Sequence, residues 1–275
     1  MHGQDDEVLY RYKYRELNDT PEGAANDLKI ITEGTLKFSN PSEFNDPFDC
    51  SPDYSNRSIN DLYKGRPGLL KMHGDILKLS PAKRLLEKPK MLAKLRANVK
   101  SGDWDAKTRA AVSVFCTSRN PCIPLMWSHY AGKHTGFIVE FRIDHNELDR
   151  DLWHIWPFPV VYSDKRPLID WTAEEPDTDH HFLTKDISWA YEEEERVLDL
   201  ERPAGIHSYS RAKFLHSVIA GAKMSDDQYK QLEAAVTKAE TDTGKRIPVY
   251  RARLSPTTYK VFIPGHPDPR HSSPE

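Results

Sequence analysis

Glu192, Glu193, Glu194 and Glu195 form an unbroken acidic run that leads straight into Arg196-Val197-Leu198. If a strand begins early there, period-two alternation puts Glu192, Glu194 and Arg196 on one face. Paired carboxylates beside an arginine suit general acid–base work or stabilisation of a developing positive charge. A second chemical stretch is Trp127-Ser128-His129-Tyr130, followed by His134. On a helical turn Trp127 and Ala131 share one face, and Tyr130 and His134 another. Two polar rings on one short face can grip a planar ligand by stacking and hydrogen bonding. A third is the loop Phe44-Asn45-Asp46-Pro47-Phe48-Asp49. Its two Phe rings are expected to anchor it to the core and hold Asn45 and Asp46 rigid. Each stretch also has a packing alternative: a charged edge strand, or an aromatic wedge sealing the end of a sheet.

The elements that position these residues follow from periodicity. Val8 to Tyr14 alternates and reads as a first strand, with Leu9, Arg11 and Lys13 on one face and the tyrosines on the other. Arg11 or Lys13 then points into a site or into solvent. Asn18-Asp19-Thr20-Pro21-Glu22 starts a helix expected to reach Thr32 and stop at Gly34. Strands are expected at 35–39, 111–118, 137–142, 159–163, 196–200, 216–220, 247–253 and 259–263, and a helix capped by Ser225 over 226–241. Trp153, Trp156 and Phe158 suggest a loop pinned by aromatics, and 165–179 reads as polar loop. Residues from about Asp61 to Arg109 carry amphipathic spacing and many Lys and Arg. They predict two or three helices, broken near Pro81 and Pro89, that form an insertion. The whole reads as one α+β domain over 1–263 with a mostly antiparallel, mixed sheet core and a helical insertion at about 61–110. Residues 264–275 read as a disordered tail.

Composition narrows the function classes. Lys+Arg 39 against Asp+Glu 42 gives a net charge of −3 over 275 residues, so no overall basic field points to nucleic acid or membrane. No stretch approaches the ~20 apolar residues of a membrane span, and Met1 to Glu7 is too polar and acidic for a signal peptide. Cys50, Cys116 and Cys122 are odd in number and lack CxxC spacing, which points to free thiols in a reducing cytoplasm. Neither GxGxxG nor a P-loop occurs.

The chemical stretches together resemble a known family. Leu36 to Ser39 with Phe44-Asn45-Asp46-Pro47-Phe48-Asp49, then Met126-Trp127-Ser128-His129-Tyr130-Ala131 with His134 and Gly136, then Trp189 to Arg196, are similar to a bacterial family of unknown function. That family carries FNDPFD, MWSHYA and WxYExExR motifs, and Ile219 to Met224 fits its later part. A more distant similarity is to the ADP-ribosyltransferase superfamily, which places a cation on an early strand, an aromatic and hydroxyl cluster around nicotinamide, and a Glu on a later strand. This resemblance implies NAD as substrate, consumed by ADP-ribosyl transfer or NAD glycohydrolysis. It implies an ADP-ribosyltransferase-like sheet, and a protein or nucleic-acid acceptor if the group is transferred. Within it Glu194 is the carboxylate that stabilises an oxocarbenium-like transition state and Glu192 positions the acceptor. Tyr130 stacks on nicotinamide, while His129 or Arg11 holds a ribose hydroxyl or phosphate. Phe44, Asn45, Asp46, Trp127, Ser128, His134 and Arg196 complete the dinucleotide-binding set. The segment Ser113 to Ser118 is only a loose counterpart of the Ser-Thr-Ser strand of those enzymes. A role as a bacterial effector or in phage defence is an expectation from this chemistry alone.

Two other classes stay open. A non-catalytic module recognising a nucleotide or a partner would use the same loops as a pocket. A metal-dependent hydrolase or nuclease would use Asp46, Asp49, His129, His134 and Glu192, although no HExxH or EF-hand spacing is present.

Overall fold

A computed structural model describes residues 8–146, 154–173 and 181–274, so Trp153 and residues 174–179 of the expected polar loop lie outside the described residues. The protein is α+β, built on a seven-stranded mixed sheet. Its strands are β1 (Val8–Arg15), β2 (Ser113–Ser118), β3 (Phe137–Asp144), β4 (Phe158–Pro159), β5 (Glu194–Asp199), β6 (Leu215–Ala220) and β7 (Val249–Arg251). They lie in the order β7-β6-β3-β1-β2-β5-β4. Every pairing is antiparallel except β6 with β7.

Alternation along the strands separates two faces. On one, Phe115, Val139, Phe141, Val197, Leu215 and Val218 join the main core. Over it pack α1 (Pro21–Asp27), α2 (Lys29–Thr32) and the long helix Asp226–Thr243, which contributes Leu232, Val236 and Ala239. Ser225 and Gln228 form a reciprocal capping box at the start of that long helix. Tyr12, Tyr14, Ile138 and Ile219 face the other way, against Ile123, Met126 and Trp127. The one helix expected over 18–32 is two, and Gly34 follows them in the left-handed region at φ 68°.

The helical insertion is larger than its spacing suggested. It comprises α3 (Asn56–Gly65), α4 (Pro67–Ile76), α5 (Pro81–Ser101) and α6 (Asp103–Ala110). Pro81 opens α5, as expected, but Pro89 does not break it. Pro89 and Leu85, whose carbonyl loses its helical partner, are both exposed, so water can satisfy that oxygen.

Residues 264–274 are not a disordered tail. Pro269–Ser272 is helical, Ile263 N donates to His271 O at 2.7 Å, and His266 and His271 are buried. The polar, proline-rich composition concealed this because the segment docks through histidine rings. His266 stacks on His271 and lies 3.3 Å from the buried Glu140 carboxylate. Among the described residues, no helix is long and apolar enough to cross a membrane.

Candidate active site

The sheet is split where the chemistry gathers. β1 pairs with β3 along its whole length, from Val8 to Arg15, but meets β2 only where Tyr12 lies opposite Ser118. Below that point Lys13 Nζ donates to the Cys116 carbonyl at 2.8 Å, taking the place of a strand-to-strand bond. Burial lowers the Lys13 pKa from its ordinary value. A cavity of about 180 Å³ opens beside the split, on the tyrosine face of the sheet.

Three chain segments converge on it. The loop after the strand Thr35–Phe38 supplies Phe44, Asn45 and Asp49, and α7 (Pro124–Tyr130) supplies Met126 and Tyr130. The segment leading into β5 supplies Lys185, Glu192 and Glu194. Strand alternation is not what aligns the two glutamates, because Glu192 ends a 3₁₀ helix (Ile187–Glu192) and Glu193 is left-handed at φ 44°. That residue reverses the chain, while Ser118 Oγ donates to the Glu192 carbonyl at 2.7 Å and holds it against β2. A non-glycine residue in this region stores backbone strain, a pattern found at functional sites.

The charges form one network. Lys185 Nζ donates to Glu192 Oε2 at 2.5 Å and to Glu194 Oε2 at 3.0 Å, and Asp49 Oδ2 is 3.7 Å away. Arg196 donates to both oxygens of Glu194 (2.9 and 3.0 Å), to Asp49 Oδ2 (2.6 Å) and to the Phe182 carbonyl (2.6 Å). Tyr130 Oη donates to Glu192 Oε1 at 2.6 Å and accepts from Asn45 Nδ2 at 3.3 Å. The ammonium of Lys185 also sits 4.9 Å from the Trp189 ring centre.

Three carboxylates therefore share two cations, and the two glutamates respond in opposite directions. Burial alone would raise Glu194, but Arg196 and Lys185 hold its pKa far below the usual carboxylate range. Burial raises Glu192, Lys185 opposes this, and the charge of Glu194 adds to the rise. Environments that push two carboxyls apart assign them different roles. Burial would lower Lys185, yet Glu194, Glu192 and Asp49 carry its pKa well above the ordinary value. Tyr130 is raised by burial and by its bond to Glu192, so it stays a donor.

Of the residues expected in the site, Phe44, Asn45, Tyr130, Glu192 and Glu194 line the cavity. Arg196 lies beneath it, fully buried and committed to carboxylates, where no nucleotide reaches it. Arg11 is on the opposite face, paired with Glu195, because odd-numbered residues of β1 face the main core side. Asp46 turns inward to accept from Phe48 N at 2.9 Å, and Phe48, expected as an anchor, is 64% exposed. Trp127 is a packing wedge: it is fully buried, donates to Pro121 O at 2.8 Å and meets Tyr14 edge-on.

Tyr130 and His134 do not share a helix face, since α7 ends at Tyr130 and both Lys133 and His134 have positive φ. His134 instead stacks on Trp127 and contacts Ser128 Oγ at 3.2 Å, so both it and Ser128 lie outside the cavity lining. His129 is exposed and pairs with the Tyr191 hydroxyl at 3.2 Å, also outside the lining. Gly136 explains the tight return after α7, because a Cβ there would fall 2.1 Å from the Arg15 carbonyl.

Of the five residues of the metal reading, Asp49 and Glu192 meet in the cavity around Lys185, while Asp46, His129 and His134 lie outside its lining. Among the described residues no group of three or more His, Cys, Asp or Glu is placed to hold a metal ion.

Sequence reasoning missed Lys185 as the bridge, and also Tyr162, whose hydroxyl accepts from Glu194 N at 2.8 Å. No pattern distinguishes Lys185 from surface lysines; its neighbours Asp186, Ile187 and Ser188 are all exposed.

No curated protein and no solved structure matches the chain. Residues 126–197, which carry most of α7, all of β3, Lys185 and both cavity glutamates, match the model of a family described as a protein of unknown function, DUF2971.

Proposed function

We propose that the cleft is the active site of an enzyme that breaks the N-glycosidic bond of NAD, by ADP-ribosyl transfer or by glycohydrolysis, on an ADP-ribosyltransferase-like sheet. The observation that carries this reading is the Glu192 carboxyl. It lines a small cavity walled by Phe44, Tyr14 and Tyr130, its pKa is raised, and Tyr130 and Lys185 fix both of its oxygens. The cavity has room for one planar ring. A nicotinamide would sit among the aromatic side chains while the rest of the dinucleotide lies at the open mouth near Lys37.

In the reaction the bond from ribose C1′ to the pyridinium nitrogen breaks, and its electron pair leaves with nicotinamide. The oxocarbenium-like centre is stabilised by ionised Glu192. Water or an acceptor group attacks C1′ and passes its proton to the same carboxylate. Glu194, held ionised by Arg196 and Lys185, is the positioning residue that keeps Lys185 against Glu192. This reverses the roles expected of the two glutamates.

The test is release of nicotinamide from NAD by the purified protein, with and without cell extract. Glu192→Gln should lower turnover by at least about 100-fold with NAD affinity retained. Absence of release under every condition, or full activity in Glu192→Gln with an unchanged circular dichroism spectrum, would overturn the reading. A second reading, a non-catalytic nucleotide-binding module, is favoured by the tight Lys185–Glu192 pair, which rigidifies the pocket. It requires Glu192→Gln to change affinity instead of turnover.

A further inference from the structure

A cavity larger than the cleft lies elsewhere in the molecule. A space of about 600 Å³ lies within the helical insertion, between α3, α4, α5 and the segment Ile169–Trp171. Its walls are apolar and aromatic, and Trp171 stacks on Tyr54 and meets Trp104 edge-on. A volume of this order is ordinary for a site that takes a small organic molecule.

Charge indicates what such a molecule would carry. Arg66 and Lys94 line the space, and neither side chain makes an ion pair among the described residues. Among the described residues the one acidic group of the lining, Asp170, is occupied by the amide and hydroxyl of Thr172 at 2.9 and 2.8 Å.

We propose that the helical insertion is a binding site for an apolar organic anion, an alkyl or aryl carboxylate whose body fills the aromatic space and whose charge meets Arg66 and Lys94. The site abuts the cleft through one short segment. Phe182 lines the apolar space while its carbonyl accepts from Arg196, and Lys185 follows three residues later.

The experiment uses the full chain and needs no NAD chemistry. Anilinonaphthalenesulfonate is titrated and followed by its own emission and by quenching of tryptophan fluorescence, then displaced by decanoate or by the uncharged decanol. Saturable binding is expected, with decanoate displacing the probe at about tenfold lower concentration than decanol. The double variant Arg66→Gln with Lys94→Gln should bring decanoate to the level of decanol. Leu69→Trp, which fills the space, should abolish binding of both. Equal displacement by decanoate and decanol in the native chain, or probe binding unchanged in a folded Leu69→Trp, would overturn the proposal. If Leu69→Trp does not fold, the charge variant decides alone, since it replaces side chains that make no ion pair among the described residues.

Discussion

Removing the Lys185 ammonium would leave Glu192, Glu194 and Asp49 facing one another with only Arg196 to balance them. Each of these charges has already lost its hydration, so deleting one partner exposes the full desolvation cost of the others. Lys185→Met should therefore lower unfolding stability by about 3–5 kcal/mol at neutral pH. The deficit should shrink on acidification, as Glu192, whose pKa is already raised, takes up a proton. Urea unfolding at two pH values checks both parts; a change of a few tenths of a kcal/mol would mean the lysine is solvated. At this scale the carboxylates were visible in the sequence as an acidic run, whereas their counter-ion was not. Its two hydrogen-bond partners lie seven and nine residues on, but the third carboxylate beside it, Asp49, is distant in the chain and no local pattern connects the two.

Among the elements, the segment 264–274 changes most when structure replaces pattern. It has no apolar periodicity, yet it covers a buried carboxylate. Glu140 accepts from Tyr12 Oη at 3.2 Å and from Ser217 Oγ, with His266 beside it. Burial would raise Glu140, but His266 and Ser217 hold its pKa below the usual range. Truncation after Ile263 should remove more than about 2 kcal/mol of stability, because a buried charge loses its neighbour and two buried rings lose their packing. An unchanged urea midpoint would sink this assignment. The insertion shows the opposite case. Its helices were legible from apolar spacing because a helix needs only local periodicity. The space they enclose depends on how four helices meet, and so was not legible.

Over the whole molecule, burial of histidines contributes to the acid limb of stability. His134, His181, His216 and His271 all have pKa values lowered by desolvation, His181 to about 4 despite Asp105 nearby. The unfolded chain then binds protons first as pH falls below about 6.5. Their contribution is fully present above that pH and is lost progressively toward about pH 4 in the case of His181. Glu192, with its raised pKa, works weakly in the other direction. The urea midpoint should fall steadily from pH 7 to pH 5; a flat profile there would contradict neutral buried histidines. Read alone, the sequence determined the α+β class, most strands of the main sheet, the insertion and the motif segments, since periods of two and 3.6 and turn residues act over a few positions. Only the tertiary structure decided which face of β1 meets the cleft, where the sheet splits, and that Arg11 and Arg196 serve carboxylates. Those outcomes depend on register between strands distant in the chain and on which charges are buried together. Neither is written in any one segment.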